Sequence, residues 1–329
     1  MPDYDAVLVV SFGGPEKRED VMPFLENVTR GRNVPRERLL AVAEHYYHFN
    51  GCSPINEQAR DFIRALEADL RAHGIGLPVY WGNRNWHPML LETVAAMRDA
   101  GVKRAIAYVT SAYSSWSGCR QYRENLAAAR AQVGESAPEI DKIGVFYRNP
   151  GFIAASADRL RQAMEKLPDS TVVFTAHSIP TAMARGCAYE AQLRQTCELV
   201  AAEVGGPPWT LVYQSRSGPP QVPWLGPDIL DHLRDARPPR VVIAPIGFLS
   251  DHMEILWDLD EEAREVCAEL GIEMARAGTV GSHPRFVAAV RETIQRGLAG
   301  EPVQEPGLCS ESCCLQGAAA RPSATGSTG

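Results

Sequence analysis

A histidine that closes a run of core-type residues is the first candidate for chemistry in this chain. His177, in TAHSIP (175–180), follows Val172, Val173 and Phe174, so its imidazole emerges where a strand would end. Histidine accepts protons near neutral pH and ligates borderline metals. The same position equally suits a histidine hydrogen-bonded into a strand-to-loop corner. Glu254 is the second candidate. Asp251, His252, Met253 and Glu254 fit a capping box at a helix start, which is the plain structural use of that glutamate. Yet Glu254, Asp258 and Glu262 fall at i, i+4 and i+8, which lines three carboxylates along one helix face. Like charges at that spacing cost about 0.2–0.5 kcal/mol per pair, so the line suits cations or protons passed along it. A solvated acidic face is the alternative.

Cysteine is the third chemical residue type. The chain holds eight, and Cys309, Cys313 and Cys314 crowd into its last stretch. In a reducing compartment these read as thiols or metal ligands, not disulfides. Cys52, Cys187, Cys197 and Cys267 read as small buried residues. Other chemistries find little support. There is no phosphate loop and no glycine fingerprint after a strand; SFGGP (11–15) is too short and ends in proline. Ser11 and Ser178 lie outside any nucleophile elbow.

These groups need a scaffold, and the apolar pattern supplies one. Short β-branched or aromatic runs at 6–12, 79–83, 104–111, 142–148, 171–178, 210–216, 240–250 and 272–280 alternate with helical patterns such as Arg60 to His73 and Asp258 to Leu270. Strand, helix, strand is the order of parallel sheets. The strands divide evenly near Asn149-Pro150-Gly151, a breaker sequence. The expected architecture is α/β, with two Rossmann-like domains, each on a four-stranded parallel sheet, at 1–150 and 151–300. A cysteine-containing tail at 301–329 follows, and its last residues from Gly317 are small and polar enough to be disordered. Ligands bind beyond the carboxyl ends of such strands. That rule selects SFGGP, TSAYSSWSG (110–118), TAHSIP, QSRSGPPQVPWLGP (214–227) and GFLSDHMEILWDLDEE (247–262). Their serine, glycine, proline and aromatic content suits a shaped pocket for a flat apolar ligand.

Composition narrows the field further. With 329 residues, 45% of them hydrophobic, the chain can bury two cores, and its net charge of −7 argues against a nucleic-acid surface. The start, MPDYDAVLVVSFGGP, lacks a basic leader and a long apolar stretch, so a cytoplasmic protein is expected. The longest apolar runs, Ala6 to Val10 and Val241 to Leu249, fall short of the roughly 20 residues that span a bilayer. A transmembrane segment is excluded; peripheral membrane contact is not.

TAHSIP, GFLSDHMEILWDLDEE, QSRSGPPQVPWLGPDI, HFNGCSPINEQAR and GNRNWHP, taken in order, resemble the signature stretches of the ferrochelatase family over about residues 5 to 298. SFGGPE, FLENVTRGR and the cysteine-bearing tail resemble its actinobacterial branch most. The resemblance implies a chelatase fold with a porphyrin in the cleft between two domains, and a monomer that uses porphyrin and ferrous iron. It implies His177 and Glu254 as the catalytic, metal-facing pair, with Asp258 and Glu262 as the acidic ladder behind. Metallation removes two pyrrole protons and strips water from Fe²⁺, work that a neutral imidazole and carboxylates suit. Trp224, Trp86, Phe12 and Met253 are candidates for gripping the ring, and each is equally an ordinary core residue. Phe12 stands where other Gram-positive members carry tyrosine, so no phenolate ligand is offered there.

The actinobacterial resemblance further implies coproporphyrin III, with four propionates, as substrate. Arg30, Tyr46, Ser53 and Tyr122 match the family's propionate region, with Arg32 as a spare guanidinium. It also implies a [2Fe–2S] cluster on Cys119, Cys309, Cys313 and Cys314, with zinc or free thiols as alternatives. Protoporphyrin IX ferrochelatase, a cobalt or nickel chelatase of the same fold, and a non-catalytic haem carrier are the rival functions.

Overall fold

Strand β1 (Ala6–Ser11) has the sequence AVLVVS, and every residue in it is buried. An unbroken apolar run of this kind belongs to a parallel strand covered on both faces. It pairs in parallel with β2 (Val79–Asn83) and β3 (Arg104–Val109), and β4 (Glu139–Lys142) completes the order β2-β1-β3-β4. The second sheet repeats that order as β6-β5-β7-β8. It is built from β5 (Thr171–His177), β6 (Trp209–Gln214), β7 (Arg240–Ala244) and β8 (Glu273–Arg276), again all parallel. In both sheets the first strand is central, so the carboxyl ends of β1 and β5 open where successive connections leave to opposite sides. This computed structural model describes residues 3–31, 34–218, 221–304 and 313–315. Arg32, Cys309 and the segment 317–329 lie outside the described residues.

One strand differs from its sequence expectation. The apolar residues of 142–148 suggest a strand, but β4 ends at Lys142. Ile143 and Tyr147 instead enter the core as loop residues, with Val145 and Phe146 packed beside them. Their side chains find apolar partners without a ladder, while the more polar Glu139–Lys142 forms the sheet edge against Arg104–Ala107.

The largest core runs through both sheets. Val7, Ile106 and Tyr108 from the first share one buried cluster with Val172, Phe174 and Val242 from the second. The last described helix, Pro284–Leu298, returns to pack on helices Ile55–Ala72 and Pro150–Lys166. Phe286, fully buried on that helix, meets Phe62, Tyr108, Phe146 and Phe152 with ring centroids 5.8–6.3 Å apart. Among the described residues, no helix is long and apolar enough to cross a membrane.

Candidate active site

His177 is the last residue of β5 and pairs in register with Gln214 at the end of β6. Two backbone-directed bonds fix it. Its Nδ1 is hydrogen-bonded to the Ser178 carbonyl, and Tyr189 donates its hydroxyl to the His177 carbonyl at 3.0 Å. That leaves Nε2 3.7 Å from Glu254 Oε2, with 32% and 46% of the two side chains exposed. Burial pulls the imidazole pKa down, but the nearby charge of Glu254 and the Ser178 carbonyl outweigh it and raise the value to about 9. Glu254 is the mirror case. Burial pushes its carboxyl up, while the nearby charge of His177, with His252 behind, holds it at about 2. The sequence suggests a neutral imidazole here; in the folded protein the 3.7 Å approach of the two groups favours the imidazolium and the carboxylate.

Glu254 sits where it does because of its backbone, and not by the capping box expected. The cap is His252, whose Nδ1 accepts from the Glu254 amide at 3.1 Å. Asp251 is drawn away by Arg276, at 2.9 Å, and Arg276 also grips both oxygens of Asp260 at 2.7 and 2.9 Å. Sequence reading overlooks His252, although it lies inside the same motif. Its Nε2 stands 4.0 Å from Glu254, and burial, more than its charged neighbours, lowers its pKa.

After Glu254 the chain winds as a π-helix over Leu256–Ala263. Its i→i+5 bonds widen the turn, so Glu254, Asp258 and Glu262 do not keep the straight line that α-helical spacing implies. Asp258 turns toward the end of β6, where Gln214 Nε2 donates to it at 3.3 Å and Ser215 Oγ bonds to the same oxygen. Burial raises Asp258 to about 7; Glu254 and Glu262 add to the rise, and the Ser215 and Gln214 bonds oppose it. Glu262 is also raised, chiefly by burial. The three carboxyls are therefore unlike one another: Glu254 is lowered at the pair, Asp258 is raised to about 7, and Glu262 is raised behind it.

The residues expected to grip the ring gather around the SFGGP loop and the helix Arg36–His48. In SFGGP, Gly13 has φ +81°, and an added Cβ would meet the Asn83 side chain at 2.8 Å, so only glycine lets the loop turn there. Asn83 bonds Ser11, and the buried Asn56 ties Gly14 to the His87 carbonyl. This loop presents Phe12 beside Phe24, which also packs on Tyr46 and Trp86. Tyr46, on helix Arg36–His48, lies near enough to Glu254 that the carboxylate adds to burial in raising its phenol. On the same helix His45 stacks on Trp257 at 4.0 Å and 9°, which rests that helix on the π-helix. Arg30 is exposed, whereas Ser53 and Tyr122 are buried. The Arg84 guanidinium lies over the rings of both Tyr122 and Phe12, at 4.8 and 5.6 Å. Trp224 packs against Gly218 and is tied to Pro180 beyond His177. Met253 is buried behind the pair.

Among the described residues, no three histidine, cysteine, aspartate or glutamate side chains already converge as a metal-holding group. The thiols nonetheless collect. Cys314 is buried, and burial followed by the proximity of Cys313, Cys187 and Cys119 raises its thiol to about 12. In donor chemistry this set fits a thiolate-held centre. Cys187 is half-buried beside the tail, where the sequence reading has a small core residue.

Over residues 4–298 the sequence matches the ferrochelatase family. It is 53% identical over 332 residues to a ferrochelatase of Rhodopirellula baltica, covering 96% of this chain and 94% of that protein. The coproporphyrin III ferrochelatase of Nocardia farcinica is 48% identical over 350 residues, with 98% and 99% covered. That of Mycolicibacterium vanbaalenii is 51% identical over 314 residues, with 92% and 93% covered. Among solved structures, SirB from Bacillus subtilis with Fe³⁺ aligns at TM-score 0.56 and 12% identity over 91% of this chain and 97% of that one. CbiX, a terminal enzyme of siroheme biosynthesis, aligns at TM-score 0.52 and 17% identity over 89% and 99%; these two likenesses concern the fold. A match that spans nearly all the described chain, together with relatives about half identical over their whole length, makes this chain a member of the ferrochelatase family of metal chelatases.

Proposed function

We propose that the chain inserts Fe²⁺ into coproporphyrin III, releasing two protons per iron, in the cleft between walls formed by residues 1–150 and 151–300. His177 and Glu254 face the metal, and Asp258 and Glu262 carry charge to and from them. The observation that supports this best is the pair itself, His177 Nε2 at 3.7 Å from Glu254 Oε2, with a carboxyl of pKa about 7 behind it.

The free protein holds an imidazolium against a carboxylate. An arriving dication opposes the imidazolium, so its proton moves to Glu254 and frees Nε2 for iron or a pyrrole proton. Glu254 no longer faces a positive partner and passes protons to Asp258, whose two forms are nearly equal at neutral pH, where proton transfer is most efficient. Tyr189 and Ser178 keep the imidazole aimed throughout, so the ring and the metal meet a fixed acceptor. Phe12 and Trp224 grip the macrocycle, and Arg30, Tyr46, Ser53 and Tyr122 serve the propionates, with Arg32 in reserve. Remote contacts of that kind supply the binding energy that bends a flat ring and exposes its nitrogen lone pairs. We read the tail as the seat of a [2Fe–2S] cluster on Cys119, Cys309, Cys313 and Cys314. When bound, such a cluster supplies a covalent staple and one-electron chemistry. A thiol-rich monomer suits the reducing cytoplasm.

Anaerobic Fe²⁺ insertion with coproporphyrin III and protoporphyrin IX compared side by side tests the reading. We expect kcat/KM at least about tenfold higher for coproporphyrin, a difference of about 1.4 kcal/mol. Equal or reversed values would overturn the substrate, and binding without turnover on either ring would make the protein a carrier.

A further inference from the structure

Two carboxamides sit two residues apart at the start of the helix Ile55–Ala72, and each closes the same small ring of bonds. Asn56, fully buried, accepts from the Gly14 amide at 3.3 Å and donates to the Gly14 carbonyl at 3.2 Å. Gln58 accepts from the Asp251 amide at 2.9 Å and donates to the Asp251 carbonyl at 3.2 Å. A side-chain amide carries both a donor and an acceptor, so it can serve both backbone groups of one residue as a neighbouring strand would. Residues two apart on an α-helix point about 200° away from each other, and the turn therefore grips one segment on each side. One segment is the loop that presents Phe12. The other leads through the His252 cap to Glu254, three residues beyond Asp251.

The turn is fixed against the loop more than once. The Ser53 amide donates to the Pro15 carbonyl at 2.8 Å, Asn83 donates to Asn56 at 3.3 Å, and a Cβ on Gly14 would stand 2.6 Å from the Ile55 side chain. Asp251 is equally constrained, because Arg276 holds its carboxylate at 2.9 Å while Gln58 holds its backbone. We propose that Gln58 is a positioning residue for metal insertion: by holding the Asp251 backbone it sets Glu254 at a fixed distance from the loop that grips the porphyrin. The inference rests on the reading of Glu254 as a metal-facing group. Gln58 is uncharged and both its bonds go to backbone atoms, so what it contributes is geometry. The ring is gripped by residues of the first half and meets an acid of the second. Slack between the two is felt directly in the step that brings iron, carboxylate and pyrrole nitrogen together.

Gln58→Met, close to glutamine in length and unable to make either bond, and Gln58→Glu, which keeps an acceptor for the Asp251 amide, test this in the full-length protein. In anaerobic Fe²⁺ insertion into coproporphyrin III, Gln58→Met is expected to lower kcat about 10- to 100-fold and to leave KM for the porphyrin within about twofold. Gln58→Glu should lose less. In a Glu254→Gln background, Gln58→Met should cost less than about twofold further, because it acts through the group already removed. Hydrogen exchange read by mass spectrometry should quicken at 249–256 in Gln58→Met and stay unchanged at 11–15, where Asn56 still holds the loop. Wild-type kcat in Gln58→Met, a loss confined to KM, an equal fold loss in both backgrounds, or exchange that quickens alike at both segments overturns the proposal. Wild-type kcat in Glu254→Gln is a different failure, since it removes the metal-facing role on which the inference rests.

Discussion

His177 and Glu254 each carry the charge that the other stabilises, and the pH dependence follows from that. The pKa of His177 is raised in the folded state to about 9 from an ordinary 6.5, so its contribution to stability is complete below pH 6.5 and is lost as pH rises through 9. Glu254 is lowered to about 2 from 4.5, so its contribution is complete above pH 4.5 and is lost as pH falls through 2. Both are present between pH 4.5 and 6.5. With a third and nearly half of the side chains open to solvent, the pair is worth about 0–1 kcal/mol, so its importance is chemical. Because iron insertion needs the neutral imidazole, kcat/KM is expected to climb with pH along a limb that approaches 9. In Glu254→Gln the support for the imidazolium is gone and burial remains, so the limb should move to lower pH. A limb that stays in place would show that another group titrates. His177→Ala should lower kcat by about 100- to 10,000-fold, the range for a removed acid–base group, and leave coproporphyrin binding, read by fluorescence quenching, near the wild-type level.

The π-helix is the element that takes the three acids out of one line, and its anchorage is open to test. Arg276, only 15% exposed in its side chain, binds Asp251 ahead of Glu254 and Asp260 beyond it. Asp251 is in turn clasped from the first sheet's side by Gln58, which accepts its amide at 2.9 Å and donates to its carbonyl at 3.2 Å. Arg276→Met leaves two carboxylates without their cation, a change of the kind that costs about 3–5 kcal/mol when a pair is buried. Denaturant unfolding should show a loss near the low end of that range, because both acids keep some solvent. The same variant should lower kcat more than it raises KM, since the start of the π-helix aims Glu254. Asp258→Asn should be milder than Glu254→Gln; equal losses would mark both as structural groups.

Taken whole, the chain joins its two sheets through a single aromatic core, and the helix Pro284–Leu298 closes that core from the second side onto the first. Cooperative unfolding is the consequence. Phe286→Ala removes a ring that four other aromatics touch, and should cost about 3–5 kcal/mol. Calorimetry should still show one transition, shifted to lower temperature in step for both sheets. Two separated transitions would mean that residues 1–150 and 151–300 unfold independently, which the shared core speaks against.

The inner strands β1, β3, β5 and β7 were legible from the sequence because each is built on a short apolar run, and parallel sheets bury both faces. The loops that bear the chemistry were legible because they follow those runs. Hence His177, Glu254 and Asp258 could be named before their distances were known. Three matters needed the fold. Apolar content alone could not separate β4 from the packed loop at 143–147, since burial by a ladder and burial by a core leave the same composition. The charge state of the pair depends on a 3.7 Å approach between residues far apart in the chain, and electrostatic energy falls with distance that sequence does not carry. The cap of the turn that carries Glu254 passed to His252, while Arg276, sixteen residues beyond Asp260, holds the Asp251 carboxylate instead. Cys187, bland in sequence, lies near enough to Cys314 in the fold to raise its thiol.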